Sequence, residues 1–173
     1  MRIIAGTHRG TTIYAPPGRG MRPTSDRVRE NVFNLVGPVD GASVLDLYAG
    51  SGALGLEALS RGAERVVFVE RDGEVAKVIE RNLDKLRLRA SVLRRDAVAA
   101  LAAETRKYDL VLVDPPYDMY LDVQPQLARY LPSVLADDAV VVVETDARVV
   151  PELPLAQRTS RKYGSTRVTV FDA

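Results

Sequence analysis

The sequence Asp114-Pro115-Pro116-Tyr117 combines residue types that could bind and activate an amino group. Two consecutive prolines fix φ and lack backbone donors, so the segment is stiff and presents carbonyl oxygens. The Asp114 side chain and the Pro115 carbonyl can accept both N–H bonds of an exocyclic amine, and Tyr117 can stack on the ring that carries it. An amine held in this way turns its lone pair toward an electrophilic methyl group, and Asp114 stabilises the positive charge that develops on nitrogen. We therefore expect Asp114, Pro115 and Tyr117 to be catalytic, rather than part of a plain proline turn.

A second stretch, residues 44–55, combines an apolar run, an acidic residue and a glycine-rich turn. It predicts a buried parallel strand, a loop that cradles a ligand and a helix packed back on the sheet. Gly50 and Gly52 allow the backbone to approach a ligand, and Gly55 allows the helix to lie close to the strand. The G-x-G-x-x-G spacing also fits a dinucleotide-binding fold or an ordinary βα turn. Asp46 favours a different ligand, because its carboxylate would repel a pyrophosphate but can hold the cationic ammonium of a methionine-like molecule.

Acidic residues close four successive apolar runs, namely Asp46, Glu70, Asp96 and Asp114. Because ligands in open α/β sheets bind beyond the carboxyl ends of the strands, we expect these four side chains at one site. Glu70 can accept both ribose hydroxyls of an adenosine ligand, although this position suits a nicotinamide dinucleotide equally. Asp96 is within reach of an adenine amino group, but it could instead be only the cap of the helix that follows.

Composition limits the classes of protein to which this chain can belong. Its 173 residues, 46% hydrophobic and 27% charged, suit one soluble domain with a core of its own. Because cysteine is absent and only 1 histidine occurs, disulfides and thiolate or multi-histidine metal centres are excluded. No apolar run approaches the roughly 20 residues of a membrane span, and the N-terminus lacks the apolar core of a signal peptide. We expect a cytoplasmic protein without a metal ion.

The charge is distributed unevenly, although the net charge is only +1. Residues 1–30 carry a net charge of +4 and residues 156–173 carry +3, so the middle of the chain carries −6. Two basic ends around an acidic centre indicate a polyanionic partner that the ends contact. The excess of arginine over lysine also fits nothing more than a GC-rich genome. The candidate contacts to nucleic acid are Arg2, His8, Arg9, Arg19, Arg161 and Lys162.

Regular alternation of strands and helices begins at residue 43. The pattern predicts strands at 43–48, 65–70, 91–95, 108–113 and 139–144, separated by helices at 52–61, 73–87, 97–106 and 120–134. Alternating βα units with nearly continuous Val/Leu strands indicate a parallel sheet covered by helices on both faces. The last two strands, 156–163 and 166–171, are joined only by Gly164-Ser165, which forces an antiparallel pair.

The first 38 residues follow a less regular pattern. It predicts short strands at 2–5 and 11–14 around a turn, then a helix that Thr24 or Ser25 can cap and that Gly37-Pro38 ends. We expect this hairpin and helix to contact a polyanion rather than to complete the core. The alternative is that the hairpin only covers the edge of the sheet.

Two motifs and the N-terminal block resemble known proteins. Residues 46–55 resemble the cofactor loop of class I S-adenosylmethionine methyltransferases, and residues 114–117 resemble the D/N-P-P-Y/F motif of the amino-methylating branch. Residues 2–6, 9–10, 22–34 and 162–164 resemble the bacterial small-subunit ribosomal RNA guanine-N2 methyltransferases, a match that covers essentially the whole chain. Some relatives carry Phe where this chain has Tyr117, which leaves stacking intact.

The resemblance implies a fold, an activity and partners. The fold is a Rossmann-like α/β methyltransferase with a seven-stranded, mostly parallel sheet and an antiparallel last strand. Residues 1–38 form a hairpin-and-helix extension for RNA binding and cofactor closure, and residues 39–173 form the methyltransferase domain. The activity is transfer of a methyl group from S-adenosylmethionine to the N2 amine of one guanine of 16S rRNA, guanine 966 in the family. The partner is the small ribosomal subunit, and we expect a cytoplasmic monomer without a metal.

The resemblance and the strand-end pattern together give a set of cofactor-binding residues. Arg22-Pro23-Thr24 is implied to be a lid over the methionine end of the cofactor. The full set is Arg22, Thr24, Asp46, Ala49, Gly50, Gly52, Glu70, Arg71, Asp96 and Ala97.

Other functions remain open at this point. A nicotinamide-dependent oxidoreductase would share the glycines and Glu70, but it leaves Asp46 and the Pro-Pro-Tyr segment unexplained. A DNA adenine-N6 or protein glutamine-N5 methyltransferase could use the same segment, although the DNA enzymes usually carry a substantial target-recognition region. A non-enzymatic RNA-binding module would not need the acidic residues at the strand ends.

Overall fold

Seven strands and five helices are present in the computed structural model, which describes residues 1–18 and 24–173. The strands are β1 Ser43–Leu47, β2 Arg65–Val69, β3 Ser91–Leu93, β4 Tyr108–Val113, β5 Leu135–Asp146, β6 Ala156–Tyr163 and β7 Thr166–Asp172. The helices are α1 Asp26–Val36, α2 Ala53–Ser60, α3 Gly73–Leu86, α4 Ala97–Ala103 and α5 Tyr120–Val134. None of these helices is long and apolar enough to cross a membrane.

One sheet contains all seven strands in the order β3-β2-β1-β4-β5-β7-β6. The first five strands pair in parallel, and β7 lies antiparallel to both β5 and β6. The predicted sheet with a reversed last strand is therefore confirmed. The chain moves outward from β1 to β3 and then returns to place β4 on the other side of β1. Ligands bind beyond the strand ends at such a switch point, so the β1 and β4 ends are the first place to look for a site.

Element boundaries depart from the sequence prediction where local conformation interrupts the pattern. Strand β5 begins at Leu135 rather than residue 139, because Leu135 pairs with Tyr108 before an irregularity that includes Asp138 at φ +59°. Helix α4 ends at Ala103 rather than residue 106, because the Glu104 carboxylate accepts bonds from the Thr105 and Arg106 backbone amides and closes the chain into a turn.

The two faces of the sheet pack against different helices. Alternate strand residues such as Val44 and Phe68 join one hydrophobic cluster with α1, α2 and α3. Their neighbours, such as Leu45 and Val67, join a second cluster with α4 and α5. This is the arrangement predicted for helices on both faces of a parallel sheet.

The N-terminal hairpin is shorter than predicted and belongs to the core. Only one bridge, between Arg2 and Thr12, replaces the two predicted strands. Ile3 and Ile13 are 1% and 3% exposed and pack in the same cluster as α1 and the sheet. The expectation that the hairpin and helix would not complete the core is therefore wrong, because their apolar side chains share a buried cluster with α2, α3 and the sheet.

Glu57 on α2 anchors this N-terminal segment, and no sequence motif drew attention to it. Its fully buried carboxylate accepts hydrogen bonds from the backbone amides of Ile4 at 2.9 Å and Ala5 at 3.0 Å. The same carboxylate lies 3.6 Å from the Arg29 guanidinium and 2.9 Å from that of Arg61. Two backbone donors and two cations compensate the buried negative charge.

The hairpin turn docks on the ends of two helices. The Ser60 carbonyl and hydroxyl at the end of α2 accept bonds from the backbone amides of Thr7 and His8. The His8 ring lies 2.9 Å from the Leu86 carbonyl at the end of α3. A methyl group on Gly6 would lie 1.8 Å from the Ser60 carbonyl oxygen, so this contact requires glycine.

Gly6 and Gly10 provide a matched test of this docking. Both have φ +82°, but a methyl group on Gly10 would contact nothing within 4 Å. We expect Gly10→Ala to lower the free energy of unfolding by about 1–2 kcal/mol, the cost of the left-handed conformation. Gly6→Ala should lower the free energy of unfolding by clearly more, because the added methyl group also forces the hairpin turn away from the end of α2. Urea denaturation measures both, and equal losses would show that the turn does not depend on this contact.

Candidate active site

The loop after β1 is held in place by Asp46. One of its carboxylate oxygens accepts a hydrogen bond from the Gly55 amide at 3.0 Å, inside the first turn of α2. A methyl group on Gly55 would lie 2.3 Å from the Phe68 ring, so this glycine does allow the helix to approach the strands as predicted. Burial raises the pKa of Asp46 to about 7, and the charge of Glu70 adds to this effect. Asp46 therefore carries a negative charge for a smaller fraction of the time than an ordinary aspartate, which weakens its predicted attraction for an ammonium group. A direct role of Asp46 in ligand binding stays a prediction.

Gly50 and Gly52 serve different purposes in the loop. Both have positive φ, +56° and +82°. A methyl group on Gly50 would meet nothing within 4 Å, so this side of the loop faces open space in which a ligand could approach the backbone. A methyl group on Gly52 would instead lie 3.2 Å from Ile79, on the protein side. The open space beside Gly50 fits the predicted close approach of a ligand, and a ligand contact of Gly52 stays a prediction.

Glu70 lies beside this open face. Its two carboxylate oxygens accept hydrogen bonds from the Gly50 and Asp72 amides, each at 2.9 Å. Each oxygen retains a further lone pair, so the carboxylate can still accept ribose hydroxyls. A ligand that donates to Glu70 would then contact the same carboxylate that holds the Gly50 loop in place.

Tyr48 is a component of the site that the sequence analysis missed. It adopts φ +60°, a conformation that a bulky side chain rarely takes and that is often found at functional sites. Its hydroxyl is buried and has no hydrogen-bond partner among the described residues. Burial raises the pKa of Tyr48 to about 12, and the Asp96 carboxylate adds to the effect, so the phenol remains a donor. An unpaired buried donor beside the cofactor loop fits a ligand with an acceptor atom.

The remaining predicted cofactor residues surround this loop. Asp96 caps α4 by accepting from the Ala99 amide at 2.9 Å, so its capping interpretation is confirmed and its contact to adenine stays a prediction. The Ala49 amide donates to the Val69 carbonyl at 3.0 Å, Arg71 is exposed, and Ala97 is buried at the start of α4. Arg22 lies outside the described residues.

Asp114 follows β4 and meets a second carboxylate that the sequence analysis did not single out. Val113 and Val143 are paired across β4 and β5, so Asp114 and Glu144 are the next residues on neighbouring strands. The Thr24 hydroxyl lies 3.2 Å from an oxygen of each carboxylate. The strand-end rule that identified four acids would also have identified Glu144, which ends the Val140–Val143 run.

The Thr24 hydroxyl lies between two buried carboxyl groups. One hydroxyl carries one proton, so it can satisfy only part of the acceptor capacity of Asp114 and Glu144. Burial raises the pKa of Asp114 well above its usual value, and the charge of Glu144 raises it further against the opposing Thr24 hydrogen bond. Burial also raises the pKa of Glu144. The acidic pair therefore favours an uncharged donor or a cation beside it.

A cleft opens next to this pair. Its lining comes from the start of α1, the segment after β4 and the strands β5 to β7, with Thr24, Ser25, Val28, Tyr117, Glu144, Tyr163 and Thr166. The Tyr117 hydroxyl lies 2.6 Å from that of Thr166 and 3.3 Å from a Glu144 oxygen. Pro115 is buried. Of the predicted catalytic residues, Tyr117 lines this cleft and Asp114 contacts the lining residue Thr24.

The basic residues predicted to contact RNA divide between two ends of the molecule. Arg161 and Lys162 are exposed on β6, and Arg161 pairs with Val168, which in turn pairs with Glu144. Arg2 is exposed and forms an ion pair with Asp26 at 3.2 Å, close to the start of α1. Arg9 is exposed on the hairpin turn, at the ends of α2 and α3 and so at the opposite edge of the sheet. Arg19 lies outside the described residues.

His8 does not project outward as its position in a turn suggested. Its ring is half-buried, and its two nitrogens lie 2.9 Å from the Thr7 hydroxyl and the Leu86 carbonyl. Within residues 1–18 and 24–173, no cluster of three or more acidic or histidine side chains could hold a metal ion.

Comparison with known proteins assigns the family. A model of the family described as conserved hypothetical protein 95 matches residues 1–172. Ribosomal RNA small subunit methyltransferase D of Escherichia coli (strain K12) is 40% identical over 148 residues, which cover 84% of this chain and 75% of that protein. The chain belongs to this methyltransferase family.

Two further relatives extend the match to nearly the whole chain. YlbH of Bacillus subtilis (strain 168), named as a candidate rRNA methyltransferase, is 38% identical over 187 residues, covering 99% of this chain and 98% of that protein. The structure of yhhF from Escherichia coli, named as a candidate methyltransferase, superimposes with a TM-score of 0.88 at 35% identity. That match covers 99% of this chain and 97% of yhhF. The resemblance stated from the motifs is thus confirmed at the level of family and fold.

The raised pKa of Asp46 predicts a pH dependence of stability. A carboxyl group whose pKa is higher in the folded state stabilises the fold when protonated, and this contribution is lost as the pH rises from about 4 to about 7. Asp46→Asn stays neutral and keeps an acceptor for the Gly55 amide. Relative to this variant, wild type should lose on the order of 4 kcal/mol of unfolding free energy between those pH values. Urea denaturation across the range measures it, and Asp84→Asn on the exposed face of α3 is the control. A constant difference would refute the assignment.

Proposed function

We propose that this protein transfers a methyl group from S-adenosylmethionine to the N2 amine of a guanine in 16S rRNA of the small ribosomal subunit. The observation that carries the proposal is the position of the Asp114-Pro115-Pro116-Tyr117 segment directly beside the β1 glycine loop at the switch point of the sheet. Relatives named as methyltransferases of small-subunit rRNA support the substrate class.

The loops after β1, β2 and β3 supply the groups that would hold the cofactor. Gly50 offers an accessible backbone, Glu70 offers acceptors for ribose hydroxyls, and Asp96 offers an acceptor for adenine. Tyr48 offers an unpaired hydroxyl donor. When bound, the cofactor supplies an electrophilic methyl group on a positively charged sulfur.

Asp114 and Pro115 position the target amine and stabilise the charge that develops on it. The Asp114 carboxylate and the Pro115 carbonyl accept the two N–H bonds of the target amine, which fixes the direction of its lone pair. Asp114 stabilises the positive charge that grows on nitrogen and accepts the proton that nitrogen releases. Alignment of the amine by a stiff diproline segment supplies much of the rate enhancement.

RNA contacts are proposed at both ends of the chain. The target base must leave its stack to enter the cleft. Arg161 and Lys162 on β6 directly precede Tyr163, which lines that cleft. We propose residues 1–38 as an RNA-binding and cofactor-closing extension of a methyltransferase domain at 39–173. Thr24 carries the closing role among the described residues, because it bridges both carboxyl groups of the site.

Cofactor binding is tested at Glu70. S-adenosylhomocysteine and S-adenosylmethionine should bind, and NAD should not. Glu70→Ala should weaken binding by about 1–3 kcal/mol, because a charge-assisted hydrogen bond is lost and Gly50 is released. Isothermal titration calorimetry measures the affinity, with the exposed Glu74→Ala as the control. An affinity equal to wild type would remove Glu70 from the site.

Methyl transfer is tested at Asp114. Mass spectrometry of 16S rRNA from a strain lacking the gene should show one guanine without its N2-methyl group, and the wild-type gene should restore it. Asp114→Ala should not restore the methyl group, because the amine loses its acceptor, although cofactor affinity stays within a few-fold. Asp118→Ala, an exposed aspartate in the same segment, should restore it fully. Normal methylation by Asp114→Ala would exclude the amine-holding mechanism.

A further inference from the structure

Glu144 is the acidic residue among those described as lining the cleft, and the proposed methyl transfer assigns it no task. It is 6% exposed, and its carboxylate is fixed by the hydroxyl groups of Thr24 and Tyr117. Burial raises the pKa of Tyr117 to about 12, so this phenol stays protonated and can donate to Glu144. A buried carboxylate costs free energy unless it has donors, and these two hydroxyls leave part of its acceptor capacity unused.

The placement of Glu144 next to Asp114 restricts which amine the cleft can take. Both carboxylates lie within 3.2 Å of the same Thr24 hydroxyl, so they present acceptors to one region of the cleft. Guanine carries its N2 amine next to an N1–H, which makes an unbroken row of hydrogen-bond donors. Adenine carries its N6 amine next to N1, which is an acceptor. Two adjacent carboxylates therefore match guanine and oppose adenine.

We propose that Glu144 selects guanine by accepting the N1–H of the target base while Asp114 holds its N2 amine. This proposal rests on the proposed function and adds the residue that determines base specificity. The N1–H and N2–H groups of guanine supply the two carboxyl groups with the donors that the Thr24 hydroxyl alone cannot provide. Enzymes that read a base removed from its stack do so at this Watson–Crick edge.

The base 2-aminopurine isolates the contact to N1. It carries the same N2 amine as guanine, but its N1 is an acceptor, so wild type would place that nitrogen against the Glu144 carboxylate. Sites built to bond a donor reject analogues without it strongly, because buried acceptors are left unpaired. Glu144→Gln keeps the shape of the side chain and offers an amide N–H that can donate to the N1 of 2-aminopurine.

The experiment compares two substrates and three proteins. Small subunits are assembled with 16S rRNA that carries either guanine or 2-aminopurine at the position mapped by mass spectrometry, and single-turnover methylation is followed with saturating S-adenosylmethionine. Wild type should methylate guanine at least about 100-fold faster than 2-aminopurine. Glu144→Gln should slow the reaction on guanine by about 100-fold and should bring the two substrates to similar rates. Glu64→Gln, an exposed residue before β2, should behave as wild type.

Each result has a distinct meaning. Failure of wild type to methylate guanine would overturn the proposed function itself. Methylation of guanine and 2-aminopurine at similar rates by wild type would overturn the role of Glu144 alone, even if the variant did not fold. The role of Glu144 would also be overturned if the Glu144→Gln protein bound S-adenosylhomocysteine normally and kept the wild-type ratio of the two methylation rates.

Discussion

The buried ion pair between Glu57 and Arg29 is the interaction on which the arrangement of the site depends. The Glu57 carboxylate accepts hydrogen bonds from the backbone amides of Ile4 and Ala5. The Arg29 guanidinium on α1 donates to the backbone carbonyls of Arg2 and Thr24. These contacts fix α1 and, through it, Thr24 above Asp114. Arg61 also pairs with Glu57, and Asp26 also pairs with Arg29, so the ion pair is part of a network of four charged side chains. The N-terminal segment is therefore part of both the core and the site.

Acidic groups accumulate at one edge of the sheet at a cost in stability. Asp46, Asp114 and Glu144 all have raised pKa values, in each case first because of burial. A fold selected only for stability would place apolar side chains there, whereas a site that binds hydrogen-bond donors needs acceptors that water does not satisfy. The clustering of these groups where β1, β4 and β5 end is thus an argument for function at that edge.

The fold could be predicted well from the sequence, because strands and helices are revealed by the hydrophobic periodicity of residues that are neighbours in the chain. The sequence predicted all seven strands of the sheet and placed Asp114 and Glu70 at strand ends, where the structure has them. Glu57 was missed because its partners, Ile4, Ala5 and Arg29, lie far away in the chain and no local pattern distinguishes it from an exposed helix glutamate. Tyr48 was missed because an unpaired hydroxyl is a property of packing, not of spacing. Glu144 could have been found, since it follows the apolar run Val140–Val143 in the sequence, as the other four acids follow or close apolar runs.

The structure separates two roles that the charge pattern had joined. The N-terminal net charge of +4 suggested one RNA-binding surface, but its residues lie in different places. His8 is used in docking the turn, Arg29 is buried beneath Thr24, and Arg2 pairs with Asp26. Arg9 alone of the described hairpin cations stays exposed without an ion pair in residues 1–18 and 24–173, and it lies at the edge opposite the cleft. A strand rises about 3.3 Å per residue, so a partner that touches both Arg9 and the cleft must extend over the height of the sheet. Under the proposed function, a substrate that makes both contacts must therefore be larger than the single extruded nucleotide.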